Sequence, residues 1–158
     1  MKSVKLSLIC TKVVIALMVI CAAAMPKIMD WYRGFYTDYY SLPEINAVPL
    51  MVLFYSCCIP AAAVLFSLHK LLTNIKAGEV FIEKNVKLLR VISWGCFIAA
   101  FILAVGTYYY IMFALSAVVV GFLGLILRVV KNVIEEAVII KNENDLTILK
   151  GDGEMAII

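Results

Sequence analysis

Charged side chains are scarce in this sequence, and their scarcity excludes most soluble folds. Asp, Glu, Lys and Arg make up 16% of the residues, whereas soluble domains contain about 25%. No charged residue occurs from Asn46 to Leu68, a run of 23 positions, or from Val91 to Leu127, a run of 37. With 65% hydrophobic residues, a soluble domain of 158 residues could not bury its apolar surface, whereas a lipid bilayer could cover it.

Residues that support catalysis or metal binding are also few. His69 is the one histidine, and no acidic residue lies in the middle of an apolar tract, where it could relay protons or couple ion transport. No phosphate-binding glycine loop, His-Glu-x-x-His pattern or nucleophile elbow occurs. We therefore predict a protein that is not an enzyme, with no catalytic residue, cofactor or metal site and no direct binding of nucleic acid.

The apolar tracts are long enough to cross a membrane four times. About 20 apolar residues span a hydrocarbon core roughly 30 Å thick. The 37-residue tract would form a helix of roughly 55 Å, so it predicts two crossings that turn at Gly106 and the three tyrosines after it. The predicted fold class is an all-α, integral membrane four-helix bundle. Its spans cover approximately residues 6–29, 47–70, 87–106 and 110–130, with a cytoplasmic helical extension to about 148.

These spans form one predicted domain, residues 1–150, followed by a flexible tail at 151–158. The first span has a second interpretation, as a cleaved signal peptide with lysines before VVIALMVI and small residues after it. Cleavage would leave three spans, which fits the charge distribution less well. We therefore predict a retained helix in which Lys12 extends its ammonium group to the interface.

Basic residues predict the orientation. The connection at residues 26–47 holds two of the 14 Lys and Arg residues, and the N-terminus, the second connection and the C-terminal segment hold the other 12. Because basic residues are retained in the cytoplasm, both termini and the segment NIKAGEVFIEKNVKLLR, residues 74–90, are predicted to be cytoplasmic. Seven of the eight tyrosines lie in the two connections predicted outside, as expected for residues of the headgroup layer.

The first outer connection contains aromatic residues at helical spacing. Residues four apart share a helix face, so WYRGFYTDYY would form one broad aromatic surface. This surface is either a platform for an extracellular peptide, lipid or sugar, or a short interfacial helix anchored among lipid headgroups. The aromatic platform consists of Trp31, Tyr32, Phe35, Tyr36, Tyr39 and Tyr40.

The cytoplasmic loop and the helix interiors carry local structural signals. Gly78 suits a helix stop, and the i,i+4 pair of Glu83 and Lys87 predicts that the third helix starts near Glu83. Small residues at four-residue spacing, such as Gly95 and Ala99, predict close helix packing in lipid.

Two cytoplasmic segments also resemble a known family. LLTNIKAGEVFIEKNVKLLRVISW and EEAVIIKNENDLTI are similar to the loop and the closing signature of small bacterial four-span membrane proteins, catalogued as domain of unknown function 2975. One departure is Ile82, where such proteins often have Ser or Thr suited to a helix N-cap; the cap is expected elsewhere or not at all. The resemblance implies a multi-pass protein of the bacterial plasma membrane. Members are often encoded beside a helix-turn-helix regulator, which implies a cytoplasmic transcription regulator as partner.

These observations lead to two hypotheses of function. The first is a regulatory or adaptor protein whose cytoplasmic segments bind a soluble partner. The second is a small transport or bacteriocin-immunity component that assembles as a homo-oligomer and uses the outer aromatic loop. For the first hypothesis, the predicted contact residues are Phe81, Glu83, Asn85, Lys87, Arg90, Lys141, Glu143, Asn144 and Asp145.

Overall fold

The computed structural model describes the backbone of residues 2–40 and 48–155 and the side chains of residues 4–35 and 48–148. Within these backbone ranges there is no strand, and each helix is long and apolar enough to cross a membrane. The predicted all-α, four-helix membrane fold is therefore confirmed, and the orientation of the termini stays a prediction. The helices are α1 (Lys2–Tyr40), α2 (Val48–Lys76), α3 (Glu83–Gly106) and α4 (Met112–Met155).

The helices pack in the order of the chain. α3 lies between α2 and α4, and α1 packs against α2; in the described ranges no other pair of helices packs backbone to backbone. Successive helices run in opposite directions, so the bundle has two ends. The loop end holds the start of α1, residues 77–82 and the C-terminal part of α4. The turn end holds the end of α1, the start of α2 and residues 107–111.

Large apolar side chains face outward rather than inward. Ile59 is 75% exposed and Phe101 is 71% exposed, while the buried apolar cluster is small and centres on Leu71, Leu89 and Ile92. In water, such an exposed apolar surface would be unfavourable, and the small buried cluster would not offset the free-energy cost. Hydrocarbon removes this cost, as expected of a multi-pass membrane protein.

Glycines bring the central helices close together. A Cβ atom built on Gly95 would lie 2.5 Å from Val64 Cγ2, and one built on Gly106 would lie 2.6 Å from Leu53 Cδ2. Helices in lipid associate through this kind of close backbone approach, because lipid supplies no hydrophobic force between them. The predicted small-residue contact at Gly95 is thus present between α3 and α2.

Pro26 lies inside α1 without ending it. Proline has no N–H group, so the carbonyl of Ala22, four residues earlier, loses its usual helical donor. The hydroxyl group of Tyr55, on α2, donates a hydrogen bond of 3.0 Å to this carbonyl oxygen. An unpaired carbonyl group is costly in hydrocarbon. The Tyr55 hydroxyl group supplies the hydrogen-bond donor that proline lacks. α1 continues to Tyr40, beyond its predicted end near residue 29.

α4 is also longer than predicted. It ends at Met155 instead of near residue 148, so residues 151–155 of the predicted tail have helical backbone, and residues 156–158 lie outside the described part. At about 1.5 Å per residue, its 44 residues measure about 66 Å, more than twice the hydrocarbon thickness of roughly 30 Å. α4 therefore must extend well beyond the membrane.

Candidate functional site

The α2–α3 loop begins with a Schellman motif. The N–H of Gly78 donates to the carbonyl of Ile75, and the N–H of Glu79 donates to the carbonyl of Asn74, both at 3.1 Å. Gly78 has φ of 87°, and nothing lies within 4 Å of a Cβ atom built on it. Glycine therefore suits this position through its backbone angle and not through lack of space. The predicted helix stop is confirmed.

One side chain fastens the loop to the bundle. Asn85 is 1% exposed, and its Nδ2 donates to the carbonyl oxygens of Glu79 at 2.7 Å and Val80 at 2.8 Å. Its Oδ1 accepts a bond of 2.8 Å from Asn74 Nδ2, on the last turn of α2. Asn85 thus connects the end of α2, the loop and the first turn of α3. A buried amide satisfied on both sides specifies one loop conformation.

This geometry changes the role predicted for Asn85. It was predicted to contact a soluble partner, but its side chain is buried and its hydrogen bonds are made within the loop. The prediction is wrong for this residue. α3 does begin at Glu83 as predicted, and Ile82, at the N-cap position, makes no side-chain cap bond. Asn85 instead secures the loop that enters α3.

The other predicted contact residues are accessible. Phe81 is 48% exposed, and the polar residues of this set on α3 and α4 are also exposed. The α3 group lies at the entrance to that helix, and the α4 group lies on the continuation of α4, where residues 141, 144 and 145 share one helix face and residue 143 lies on another. The exposed polar residues are Glu83, Lys87, Arg90, Lys141, Glu143, Asn144 and Asp145.

A cluster of charges joins α3 to α4 at the loop end. Arg90 Nη2 lies 3.3 Å from Glu135 Oε1, and Lys131 bonds the other oxygen of the same carboxylate from one helical turn away. The guanidinium of Arg128 lies over the Trp94 ring, 5.8 Å from its centroid. In these five residues, which we call the α3–α4 charge cluster, two cations contact one carboxylate and a third cation, Arg128, contacts an aromatic ring. Such pairing is typical of the level where helices leave the hydrocarbon.

The carboxylate of this cluster titrates below its usual range. The hydrogen bond from Lys131 is the main cause that lowers the pKa of Glu135, and the positive charges of Lys131 and Arg90 add to it; desolvation opposes them. Both side chains of the Arg90–Glu135 pair are partly exposed, at 55% and 38%, so water screens the attraction and the pair contributes little.

We expect Glu135→Gln to destabilise the protein slightly at neutral pH and not at all in acid. Because the folded-state pKa is lowered, the carboxylate's contribution is complete above the ordinary pKa of about 4.3 and is lost as pH falls through the lower folded value. Thermal unfolding of both proteins in detergent, from about pH 7 down to about pH 3, measures this. A gap of equal size at both pH extremes would contradict the assignment.

At the turn end, the aromatic platform is only partly described. Trp31 and Phe35 stack with ring centroids 5.6 Å apart and an angle of 22°, and they are 69% and 41% exposed. Tyr32, next to Trp31, is half-buried. The backbone of this segment belongs to α1, but the side chains of Tyr36, Tyr39 and Tyr40 lie outside the described residues.

Sequence reasoning did not find the α3–α4 charge cluster. Lys131 and Glu135 are four apart, and this spacing was the one local signal available. The contacts of Arg90 with Glu135 and of Arg128 with Trp94 depend on the register of α3 against α4, which no local pattern specifies. Asn74 was missed for the same reason.

No metal centre is formed by the described side chains: in residues 4–35 and 48–148, no three His, Cys, Asp or Glu residues come together. The five cysteines of the described part are free and lie within the helices.

A family model described as "Protein of unknown function (DUF2975)" matches residues 37–148. The match therefore begins near the end of α1 and includes the loop, the α3–α4 charge cluster and α4 as far as Ile148. No curated protein and no solved structure matches the chain.

Proposed function

The chain belongs to the DUF2975 family of proteins of unknown function, and from this premise and the geometry of the loop end we propose that it is a membrane regulator or adaptor that is not an enzyme. In this proposal both termini and the α2–α3 loop face the cytoplasm of a bacterial cell, and the loop end binds a soluble protein. A transcription regulator of the helix-turn-helix class is the partner that the family resemblance favours.

The observation that carries this proposal is the continuation of α4 beyond the bundle. Val138, 4% exposed, is the last buried residue on the described part of α4, and every residue from 139 to 148 is exposed. From residue 141 to the end of the helix at Met155, α4 measures about 22 Å at 1.5 Å per residue. Residues 139–148 of this helix are covered by no other described part of the bundle, so this surface is available to another protein.

The chemistry of this extension suits a protein better than nucleic acid. Lys141 is accompanied by two acidic residues, Glu143 and Asp145, which would repel phosphate groups. Leu146 is 66% exposed and Ile148 is 56% exposed, so apolar side chains are interspersed with the charges. Mixed apolar and polar surfaces of this kind are typical of protein interfaces.

We expect removal of residues 141–158 to reduce capture of the partner by at least tenfold. Tagged full-length protein and this truncation would be solubilised from native membranes, and co-purifying soluble proteins quantified by mass spectrometry. Lys141→Glu combined with Asp145→Lys tests the same surface with the helix left intact. Equal recovery of the same proteins with all three forms would count against the proposal.

A reporter fused after Lys150 tests the orientation on which the proposal depends. Activity of a cytoplasmic reporter supports it, and activity of a reporter that works only outside the cell overturns it.

The alternative, a transport or immunity component, depends on the exposed stack of Trp31 and Phe35. Both residues lie outside the family match, which starts at residue 37, so the family relationship favours the loop end. The double variant Trp31→Ala, Phe35→Ala separates the two functions. A cellular phenotype that requires these rings and tolerates loss of residues 141–158 would favour the alternative.

A further inference from the structure

A cleft lined by polar and apolar side chains lies between α1 and α2 at the loop end, away from the surfaces discussed above. Its volume is 370 Å³, and side chains from the first three turns of α1 and the last two turns of α2 line it. We propose that this cleft binds the phosphate-bearing headgroup of an anionic phospholipid. The polar lining residues are Lys5, Lys12, His69, Thr73 and Lys76.

The charge of the cleft points to an anion. Lys5, Lys12 and Lys76 all line it, and no carboxylate is among the lining residues of the described chain. The contrast with the α3–α4 charge cluster is informative, because there a carboxylate, Glu135, is paired with the surrounding cations. Three exposed lysines around one small cleft make its potential positive, which favours an anion there. Phosphate oxygens are strong acceptors for ammonium groups, and basic pockets between membrane helices bind lipid headgroups.

The histidine of the cleft has unused hydrogen-bonding capacity. His69 Nδ1 is buried and has no hydrogen-bond partner among the described residues. Buried polar atoms are rarely left without a partner. The neighbouring Thr73 hydroxyl, by contrast, donates to the His69 carbonyl at 2.9 Å. Because this nitrogen is closed to solvent, it does not face the open cleft, and the three lysines are the groups available to a ligand.

The surroundings of the cleft distinguish a lipid from a free anion. Leu8 and Ile9 form its apolar wall, and Ile9 is 60% exposed. Farther along α1 toward the turn end, Val13 is 57% exposed and Leu17 is 59% exposed, so an apolar surface continues from the cleft along the predicted membrane span. A headgroup in the cleft would place its acyl chains against this surface. A free phosphate ion would contact the lysines but not this apolar surface.

Binding of dioleoyl phosphatidylglycerol to the purified full-length protein tests the proposal. Native mass spectrometry in detergent would measure binding of this lipid, of dioleoyl phosphatidylcholine, and of inorganic phosphate alone. We expect at least tenfold preference for phosphatidylglycerol over phosphatidylcholine. Combined Lys5→Gln, Lys12→Gln and Lys76→Gln substitutions should abolish this preference, because each lysine near an anionic headgroup contributes about fivefold.

Two control variants make the result specific. Replacing the same three lysines by arginine keeps the charge and should keep the preference for phosphatidylglycerol. Lys70→Gln removes one charge from the same helix at an exposed position that does not line the cleft, and should leave binding unchanged. Circular dichroism and size-exclusion chromatography establish that each variant is folded.

Three results would overturn the proposal. The first is equal binding of phosphatidylglycerol by the wild type and the triple glutamine variant. The second is a loss with Lys70→Gln as large as with the triple variant, since binding would then reflect overall charge. The third is lysine-dependent binding of inorganic phosphate with no preference between the two lipids, which would indicate a site for a soluble anion.

Discussion

Replacing Asn85 with alanine is expected to lower the free energy of unfolding by about 3 kcal/mol, because three hydrogen bonds are lost and buried partners are left unpaired. The two loop carbonyls of Glu79 and Val80 lose their shared donor, and Asn74 loses its acceptor. Equilibrium unfolding in mixed detergent micelles, followed by circular dichroism, measures the change.

Asn74→Ala is the matched control for Asn85→Ala. It removes one of the three bonds and leaves the two that hold the loop, so we expect a loss of about 1 kcal/mol. Asn85→Asp keeps the shape of the side chain but, when ionised, cannot donate to either carbonyl, so it should be at least as destabilising as alanine. Equal effects of Asn74→Ala and Asn85→Ala would refute the role of Asn85 in fastening the loop.

This prediction also bears on the proposed function. The loop conformation determines the positions of Phe81 and Glu83 at the loop end. Asn85 itself is buried and therefore not accessible to a partner. Asn85→Ala should therefore increase hydrogen exchange and protease cleavage at residues 77–82 and weaken partner capture. Exposed-residue variants such as Phe81→Ala should weaken capture with little effect on stability.

Gly95→Ala is expected to destabilise the packing of α3 on α2 by about 2 kcal/mol, because the added methyl group would overlap Val64 Cγ2 and force the helices apart. The backbone fixes the position of an alanine Cβ atom, so Val64 or the helices must move; the carbonyl of Pro60, 3.5 Å from the same point, would be in ordinary van der Waals contact. Unfolding in mixed micelles reports this loss, and cross-linking of cysteines introduced on α2 and α3 reports the separation.

The double variant Gly95→Ala, Val64→Ala tests the contact itself. Truncating Val64 makes room for the new methyl group, so the two changes together should cost less than their sum. Gly34→Ala is the control, since nothing lies within 4 Å of a Cβ atom built there, and alanine favours a helix by about 0.5–1 kcal/mol over glycine. Additive losses in the double variant would show that Val64 is not the obstacle.

Helix existence and local breaks were predictable from sequence, whereas contacts between helices were not. The length of the uncharged tracts determines how often the chain can cross lipid. Glycine marks the end of α2 at Gly78, where φ is 87°, whereas Gly106 is the last helical residue of α3 and packs against Leu53. The persistence of α1 through Pro26 was not foreseeable, since it accompanies a bond from Tyr55, 33 residues away.

The same limit applies to the candidate site. Asparagine is a residue type that is usually exposed. Only the positions of Asn74 and the loop carbonyls show that Asn85 is buried. Exposure of Phe81 and of the α4 residues was predictable, because they follow the end of an apolar tract. Which of them a partner touches is not encoded in any local pattern.

α4 passes from the turn end to beyond the bundle as one uninterrupted helix, and this makes it a lever. Membrane helices adjust to bilayer thickness by tilting. A tilt of about 10° moves the tip of an arm roughly 22 Å long by about 4 Å, as the rise of 1.5 Å per residue sets the arm's length. Stretching or thinning of the bilayer would thus shift the tip of this arm sideways, and under the proposed function a protein docked there would register mechanical strain in the membrane.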